Sequence, residues 1–244
     1  MPLAIALPDA TLVGLDYSSV QIADGQRKLD MAGLKNITLM HADIGNVGKE
    51  LGMFDYVICH GVYSWVQPHL QARIMEICRD HLTPDGVAFI SYNVYPGWKM
   101  REILRDAMLF HTAAFDNPMV KLAHARGMID YMHEMSRPES MFARILKEES
   151  ENLKDKEDPY IIHEFLEETN SPCYFHEFIR RAEEKDLVYL ADANPSTMFI
   201  DNIPQNARQR LLNASGGNQV KLEQYIDFTN NRGFRQTLLV PKAS

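Results

Sequence analysis

The chain has 244 residues, 45% hydrophobic and 24% charged, with 9% aromatic residues, a composition that excludes disordered and collagen-like classes and gives length for one or two folded domains. Its 33 acidic residues outnumber the 25 basic ones for a formal charge of −8, which argues against a nucleic-acid binder, and no apolar run approaches the ~20 residues that cross a bilayer. Residues 1–8 are apolar but lack the basic region of a signal peptide, while Cys59, Cys78 and Cys173 are too few and too scattered for a disulfide framework, which points to a reducing cytoplasm.

Thr11-Leu12-Val13-Gly14-Leu15-Asp16 reads as a strand ending in an acid, and Ser18 or Ser19 caps a following helix that carries Ile22, Leu29 and Met31 to its stop at Gly33. Ile37-Thr38-Leu39-Met40-His41-Ala42-Asp43 is a second strand with an acid at its end, and Phe54-Asp55-Tyr56-Val57-Ile58-Cys59-His60 a third, running into Gly61. Pro68 opens a helix whose Leu70, Ile74, Ile77, Cys78 and Leu82 share one face. After the turn Thr83-Pro84-Asp85-Gly86, residues 87–93 form a fourth strand. Strands apolar on both faces and separated by helices predict a mostly parallel α/β sheet.

In such a sheet ligands lie across the carboxyl ends of the strands. Asp16, Asp43, His60-Gly61 and Tyr92-Asn93 all fall there. A carboxylate at a strand end accepts hydrogen bonds from two vicinal ribose hydroxyls, and a second acid one βαβ unit later reaches an adenine amine, so one bound adenosine accounts for both acids. Taken singly, each acid also reads as a helix cap or solvated loop residue.

Val13-Gly14-Leu15-Asp16-Tyr17-Ser18, His41-Ala42-Asp43-Ile44, Phe54-Asp55-Tyr56-Val57 and Leu82-Thr83-Pro84-Asp85-Gly86 resemble the successive motifs of class I S-adenosylmethionine-dependent methyltransferases. His60-Gly61-Val62-Tyr63-Ser64-Trp65-Val66, Ser91-Tyr92-Asn93-Val94-Tyr95-Pro96-Gly97-Trp98, Pro172-Cys173-Tyr174-Phe175-His176-Glu177-Phe178 and the run from Phe234 to Leu239 narrow the likeness to bacterial methyltransferases with a methyltransferase regulatory domain, a group that includes rickettsial-type protein-lysine methyltransferases. The resemblance implies a Rossmann-like sheet, S-adenosylmethionine as cofactor, and a protein or amine methyl acceptor. It implies that Asp16 holds the ribose, that Asp43 holds the adenine amine with Ile44 on the base, and that the backbone at Cys59 and His60 lines the methionine end. Tyr17 and Gly61 complete the implied cofactor set.

Family members carry a strand and a glycine-rich loop before the segment matching residues 1–8. The sequence therefore reads as a chain lacking that first strand, with weak or no cofactor binding, an inactive enzyme in that form, and an exposed sheet edge that favours self-association. On the acceptor side, Tyr63, Tyr92 and Trp98 can orient an amine and stabilise positive charge with their rings, Asn93 can offer a side-chain carbonyl, and His60 can act as base or orienter. Each also reads as a structural residue. His163-Glu164 and His176-Glu177 lack the second histidine of a zinc hydrolase motif, so no metal is expected.

Residues 1–98 are thus expected to form the cofactor-binding core and 99–170 a helical insert, with helices near 100–110, 120–135 and 141–153 and a solvated run at 154–158. Residues 171–244 return to the core through a helix at 175–185, strands at 187–192 and 234–240, and helices between them; the last two strands form an antiparallel closing hairpin. The methionines of the insert read chiefly as buried packing. Two other readings stand beside methyl transfer: a nicotinamide-dependent dehydrogenase, which also places an acid on ribose, and a non-catalytic fragment that binds a partner.

Overall fold

The expected strands all form, but they do not make one sheet. In the computed structural model, which describes residues 1–243, β1 (Leu12–Asp16) pairs with β2 (Ile37–His41) alone, in parallel from Leu12↔Ile37 to Asp16↔His41. The strands β3 (Phe54–Cys59), β4 (Leu82–Asn93), β5 (Leu187–Asp192) and β6 (Phe234–Pro241) form a second sheet in the order β3-β4-β6-β5. β3 runs parallel to β4, whereas β6 lies antiparallel to both β4 and β5, which gives the closing hairpin. Leu82, expected at the end of a helix, opens β4. The turn at 83–86 becomes a bulge, since the ladder jumps from Phe54↔Leu82 to Tyr56↔Val87.

Helices α1 (Pro2–Ala6), α2 (Ser19–Ala32) and α3 (Pro68–His81) accompany these strands. Ser18 caps α2 by accepting the Gln21 N–H at 3.3 Å, and Gly33 ends it at φ +67°, a left-handed value suited to glycine. Leu29 is buried, but Met31 faces solvent. α3 packs Ile74, Met75 and Cys78 against one face of the four-stranded sheet, beside Phe175, Phe178 and Ile179 of α8 (Phe175–Glu183), in a core that includes Cys59, Ile90, Tyr92 and Leu239.

The opposite face is open. Tyr56, Ile58, Val188, Leu190 and Phe234 are all exposed on it. The two-sided apolar pattern predicted cover on both faces, and among the described residues only one is covered.

Between the sheet strands lie α4 (Trp98–Thr112), α5 (Pro118–Met135), α6 (Met141–Lys154) and α7 (Asp158–Ile161). They bury Leu104, Met108, Leu122, Ile129, Leu146 and Phe165 as a core of their own. A π-helical turn, Ile162–Leu166, follows α7 and has no signal in the sequence pattern. The predicted run at 154–158 is solvated throughout, but its loop is only residues 155–157, because α6 extends to Lys154 and α7 starts at Asp158. Burial explains Met108, but Met119, Met135 and Met141 are exposed, so the packing expectation fails for them. Among the described residues no helix is long and apolar enough to cross a membrane.

The helices α9 (Gln205–Ser215) and α10 (Gln219–Thr229) occupy the connection from β5 to β6. What joins α10 to the sheet is charge. The Arg235 guanidinium, fully buried on β6, donates to both Asp227 oxygens at 2.8 and 2.9 Å and to Glu223 at 3.0 Å. Its plane lies 3.6 Å from the Phe175 ring centroid. Arg232 bonds Asp192 on β5 at 2.7 Å, and the Tyr189 hydroxyl donates to Glu223. Burial by itself would lower the Arg235 pKa, but its bonds to Asp227 more than reverse that and keep it charged. Replacing Arg235 by leucine leaves the buried carboxylates without their main cation, so a loss of about 3–5 kcal/mol is expected from urea unfolding. A loss below about 1 kcal/mol would show that the cluster does not hold α10 in place.

Candidate functional site

The free edges of β1 and β3 face a common cleft of about 460 Å³. Gly14 and Asp16 from β1, Ile44, and Tyr56, Ile58 and His60 at β3 all line it. Parallel pairing places the carboxyl ends of β1 and β2 side by side: Asp16 stands opposite His41, and Ala42 donates its N–H to the Asp16 carbonyl at 3.0 Å. Asp43 therefore comes two residues beyond the partner of Asp16, just past the end of β2. Both acids are exposed.

Their local bonds differ. Asp16 accepts the Ser18 N–H on Oδ1 at 2.7 Å, which orients the carboxylate and leaves Oδ2 without a protein donor. Asp43 accepts the Gly45 N–H on Oδ1 at 2.8 Å and the Asn46 amide on Oδ2 at 3.4 Å, capping the short turn Ile44–Asn46. The cap and the ligand-end position coincide at Asp43. Tyr17 is 76% exposed and does not line the cleft.

At the end of β3, adjacent residues point to opposite faces. Cys59 enters the core, where burial pushes its thiol up to about 12. His60 is exposed in the cleft. Its Nδ1 lies 2.9 Å from Ser91 Oγ, and Ser91 Oγ also accepts the Gly61 N–H at 2.9 Å. Ser91 was not foreseen as a site residue. The available signal is the strand register, because Cys59↔Ile90 sets Ser91 beside His60.

The aromatic candidates divide by the same alternation. Tyr92 is core: its ring stacks on Phe178 at 3.8 Å and its hydroxyl bonds Thr237 at 2.9 Å. Tyr63 meets Tyr92 and Phe178 edge-on, and Trp98 is buried at the start of α4. All three are 1% exposed, so none presents a ring to a substrate in this conformation, which corrects the expectation for Tyr63, Tyr92 and Trp98. Burial raises the Tyr63 phenol to about 12 and holds the Tyr92 phenol well above its ordinary value, so both stay protonated.

Asn93, two residues beyond Ser91 on the same side of β4, does take part in a polar junction. Its backbone N–H donates to Ser64 Oγ at 2.8 Å and its amide to Asn170 Oδ1 at 3.1 Å. Residues 169–173 cross these strand ends as a strap. Ser171 donates to the Ser64 carbonyl at 2.8 Å, Gln67 bonds Thr169 at 3.0 Å, and Cys173 bridges to Val94. From the π-helical turn, His163 lies 4.4 Å from half-buried Trp65, whose ring meets Trp98 edge-on at 6.1 Å. Asn170 and His163 had no local sequence signal, since both reach the strand ends only through the fold.

Two family models match the chain: a methyltransferase domain over residues 1–88 and a "predicted methyltransferase regulatory domain" over residues 157–241. Protein RP789 of Rickettsia prowazekii (strain Madrid E) is 40% identical over 98% of this chain, which spans 43% of that protein. Protein RP028 of the same organism is 36% identical over 75% of this chain and 74% of its own length. The structure of PKMT2 from Rickettsia typhi in complex with AdoHcy superposes with a TM-score of 0.88 at 36% identity, over 99% of this chain and 46% of that one. The chain thus spans less than half the length of RP789 and of that PKMT2 chain.

The burial of the thiols gives a direct check on the site's architecture. Cys59, Cys78 and Cys173 are all buried, and burial is the chief cause of their raised pKa values. The folded chain is expected to react with a disulfide reagent at pH 8 far more slowly than the urea-unfolded chain, in which all three thiols react at once. A fast native thiol would show that the β3 end is not packed as described.

Proposed function

This chain belongs to the methyltransferases that carry a methyltransferase regulatory domain, and we propose that it binds S-adenosylmethionine in the cleft between β1 and β3 and serves methyl transfer to a protein lysine or related amine. The observation that carries the reading is the pairing of β1 with β2. It sets Asp16, with one carboxylate oxygen free, beside Asp43 and Ile44 at neighbouring strand ends that open on a cleft.

The residues fit the cofactor. Asp16 Oδ2 is available to ribose hydroxyls and Ile44 offers an apolar surface to the base, both in the cleft lining, whereas Asp43 stands outside that lining with both oxygens in its cap and meets the adenine amine only from beside the cleft. When bound, the cofactor supplies an electrophilic sulfonium methyl group. The chain's part is then to hold the adenosine, orient the acceptor amine and keep its nitrogen unprotonated. Of the acceptor-side candidates, Asn93 is also buried, at 4% exposure, and stays in this reading only as a side-chain carbonyl at the strand end, with Trp65 and His163 as the aromatic surface nearest the strap. Cys59 and Gly61 contribute backbone only.

Support for an amine acceptor comes from the aromatic segments that resemble the lysine-methylating group. Three cysteines free of disulfides support a cytoplasmic setting. The unpaired edges of β1 and β3 and the open sheet face support self-association. Sedimentation velocity is expected to show species larger than a monomer that shift with concentration. A single monomer boundary at all concentrations would remove that element.

Titration with S-adenosylhomocysteine followed by NMR tests the central claim. We expect saturable but weak binding, because the cleft is walled by two strand edges with nothing paired between them, and no competition by NAD. Asp16→Ala is expected to weaken binding by about 1–3 kcal/mol through loss of charge-assisted hydrogen bonds. An unchanged dissociation constant takes Asp16 out of the site.

A further inference from the structure

The hydroxyl of Ser91 has three bonding capacities, one donor and two acceptors. One acceptor is taken by the Gly61 N–H, and His60 Nδ1 lies at 2.9 Å. Two arrangements satisfy that second distance. If the proton sits on Nδ1, the imidazole donates to Ser91, and the serine's own O–H then has no acceptor, since it makes no further hydrogen bond. Ser91 is 1% exposed, so water does not supply one. If instead Ser91 donates to Nδ1, every capacity but one lone pair is used and no buried donor is left unmet. The penalty for a buried, unmet hydroxyl favours the second arrangement by roughly 5- to 150-fold in population.

A neutral imidazole that accepts at Nδ1 carries its proton on Nε2. The ring is held in this attitude by its neighbours, with Phe89 at 5.9 Å and Phe234 edge-on at 6.5 Å. No protein group bonds Nε2, and the side chain is exposed in the cleft. Its basic lone pair points at Ser91 and not into the cleft, so an amine in the cleft meets the Nε2–H and not the lone pair.

We infer that His60, fixed by Ser91, is a hydrogen-bond donor through Nε2–H to the carboxylate of the cofactor's amino-acid end, and is not the base of methyl transfer. The ligand half of this inference rests on the cofactor reading above. With the base on Ile44 and the ribose on Asp16, on the β1–β2 side of the cleft, the amino-acid end is the part that extends toward β3, and its carboxylate is the charged acceptor there, since the neighbouring ammonium only donates.

Two measurements on the full chain test it. Ring ¹⁵N NMR of histidine-labelled protein, with His60 identified by its loss in His60→Gln, is expected to show the Nε2–H tautomer at pH values where the ring is neutral. Ser91→Ala is expected to erase that preference. Chemical-shift titrations then compare S-adenosylhomocysteine with 5′-methylthioadenosine, which lacks the amino-acid end. His60→Ala is expected to weaken the first about tenfold and the second less than twofold, with His60→Gln, whose amide N–H replaces Nε2–H, recovering most of the loss. An Nδ1–H tautomer in the unsubstituted chain overturns the donor assignment. Equal losses for the two nucleosides overturn the carboxylate assignment while leaving the cofactor reading intact. Failure of the unsubstituted chain to bind either nucleoside at millimolar concentration brings down the cofactor reading and the carboxylate assignment with it, but not the tautomer result.

Discussion

A β-strand has two edges and two faces, and β3 has one of each satisfied. Its ladder to β4 fills one edge, and α3 covers one face. The other edge, facing β1 across the cleft, has no strand partner among the described residues, and Tyr56 and Ile58 are exposed on its other face. Backbone N–H and C=O groups that find no partner in the fold must bond to water, to a ligand or to another chain. The candidate ligand site and the unpaired edge of β3 are therefore the same place. On the proposed reading a ligand and a second chain would compete for one stretch of backbone.

Alternation along β4 then sorts the chemistry. Ala88, Ile90 and Tyr92 point into the core shared with α3 and α8, whereas Phe89, Ser91 and Asn93 point to the other side. Three consecutive residues, Ser91, Tyr92 and Asn93, form one aromatic-polar motif in the sequence but have two unrelated duties. Tyr92 holds Phe178 and Thr237, while its neighbours serve the strand ends. The same step of one residue separates the buried Cys59 thiol from the exposed His60 ring. A residue type that suits catalysis counts for little until its side of the sheet is known.

The segment matched by the regulatory-domain model supplies β5 and β6 of the sheet and is held to the strands by two further contacts of different character. The strap at 169–173 uses neutral hydrogen bonds at the carboxyl ends of β3 and β4, close to Asn93. α10 uses the fully buried Arg235 with Asp227 and Glu223. A buried ion cluster is geometrically demanding, because each charge removed from water needs its partner in place. That demand fixes α10 against β5 and β6 more narrowly than apolar packing would, and through residues 231–233 it reaches the turn at Gly97, whose missing side chain lets the two backbones meet.

The sequence by itself determined the strands and most helices, because apolar periodicity, the Ser18 and Gly33 boundaries of α2 and Pro68 in the first turn of α3 are local signals. It also located the strand-end acids Asp16 and Asp43, since a carboxylate placed after a buried run marks a strand end whatever the sheet order. Only the tertiary structure decided that the strands form two sheets, that Tyr63, Tyr92 and Trp98 are interior, and that Ser91, His163 and Asn170 stand at the strand ends. These outcomes depend on strand pairing, face assignment and contacts such as Tyr92 with Thr237, 145 residues apart. No short window of sequence encodes such quantities, because they arise from which surfaces remain after every backbone group and apolar face has competed for a partner.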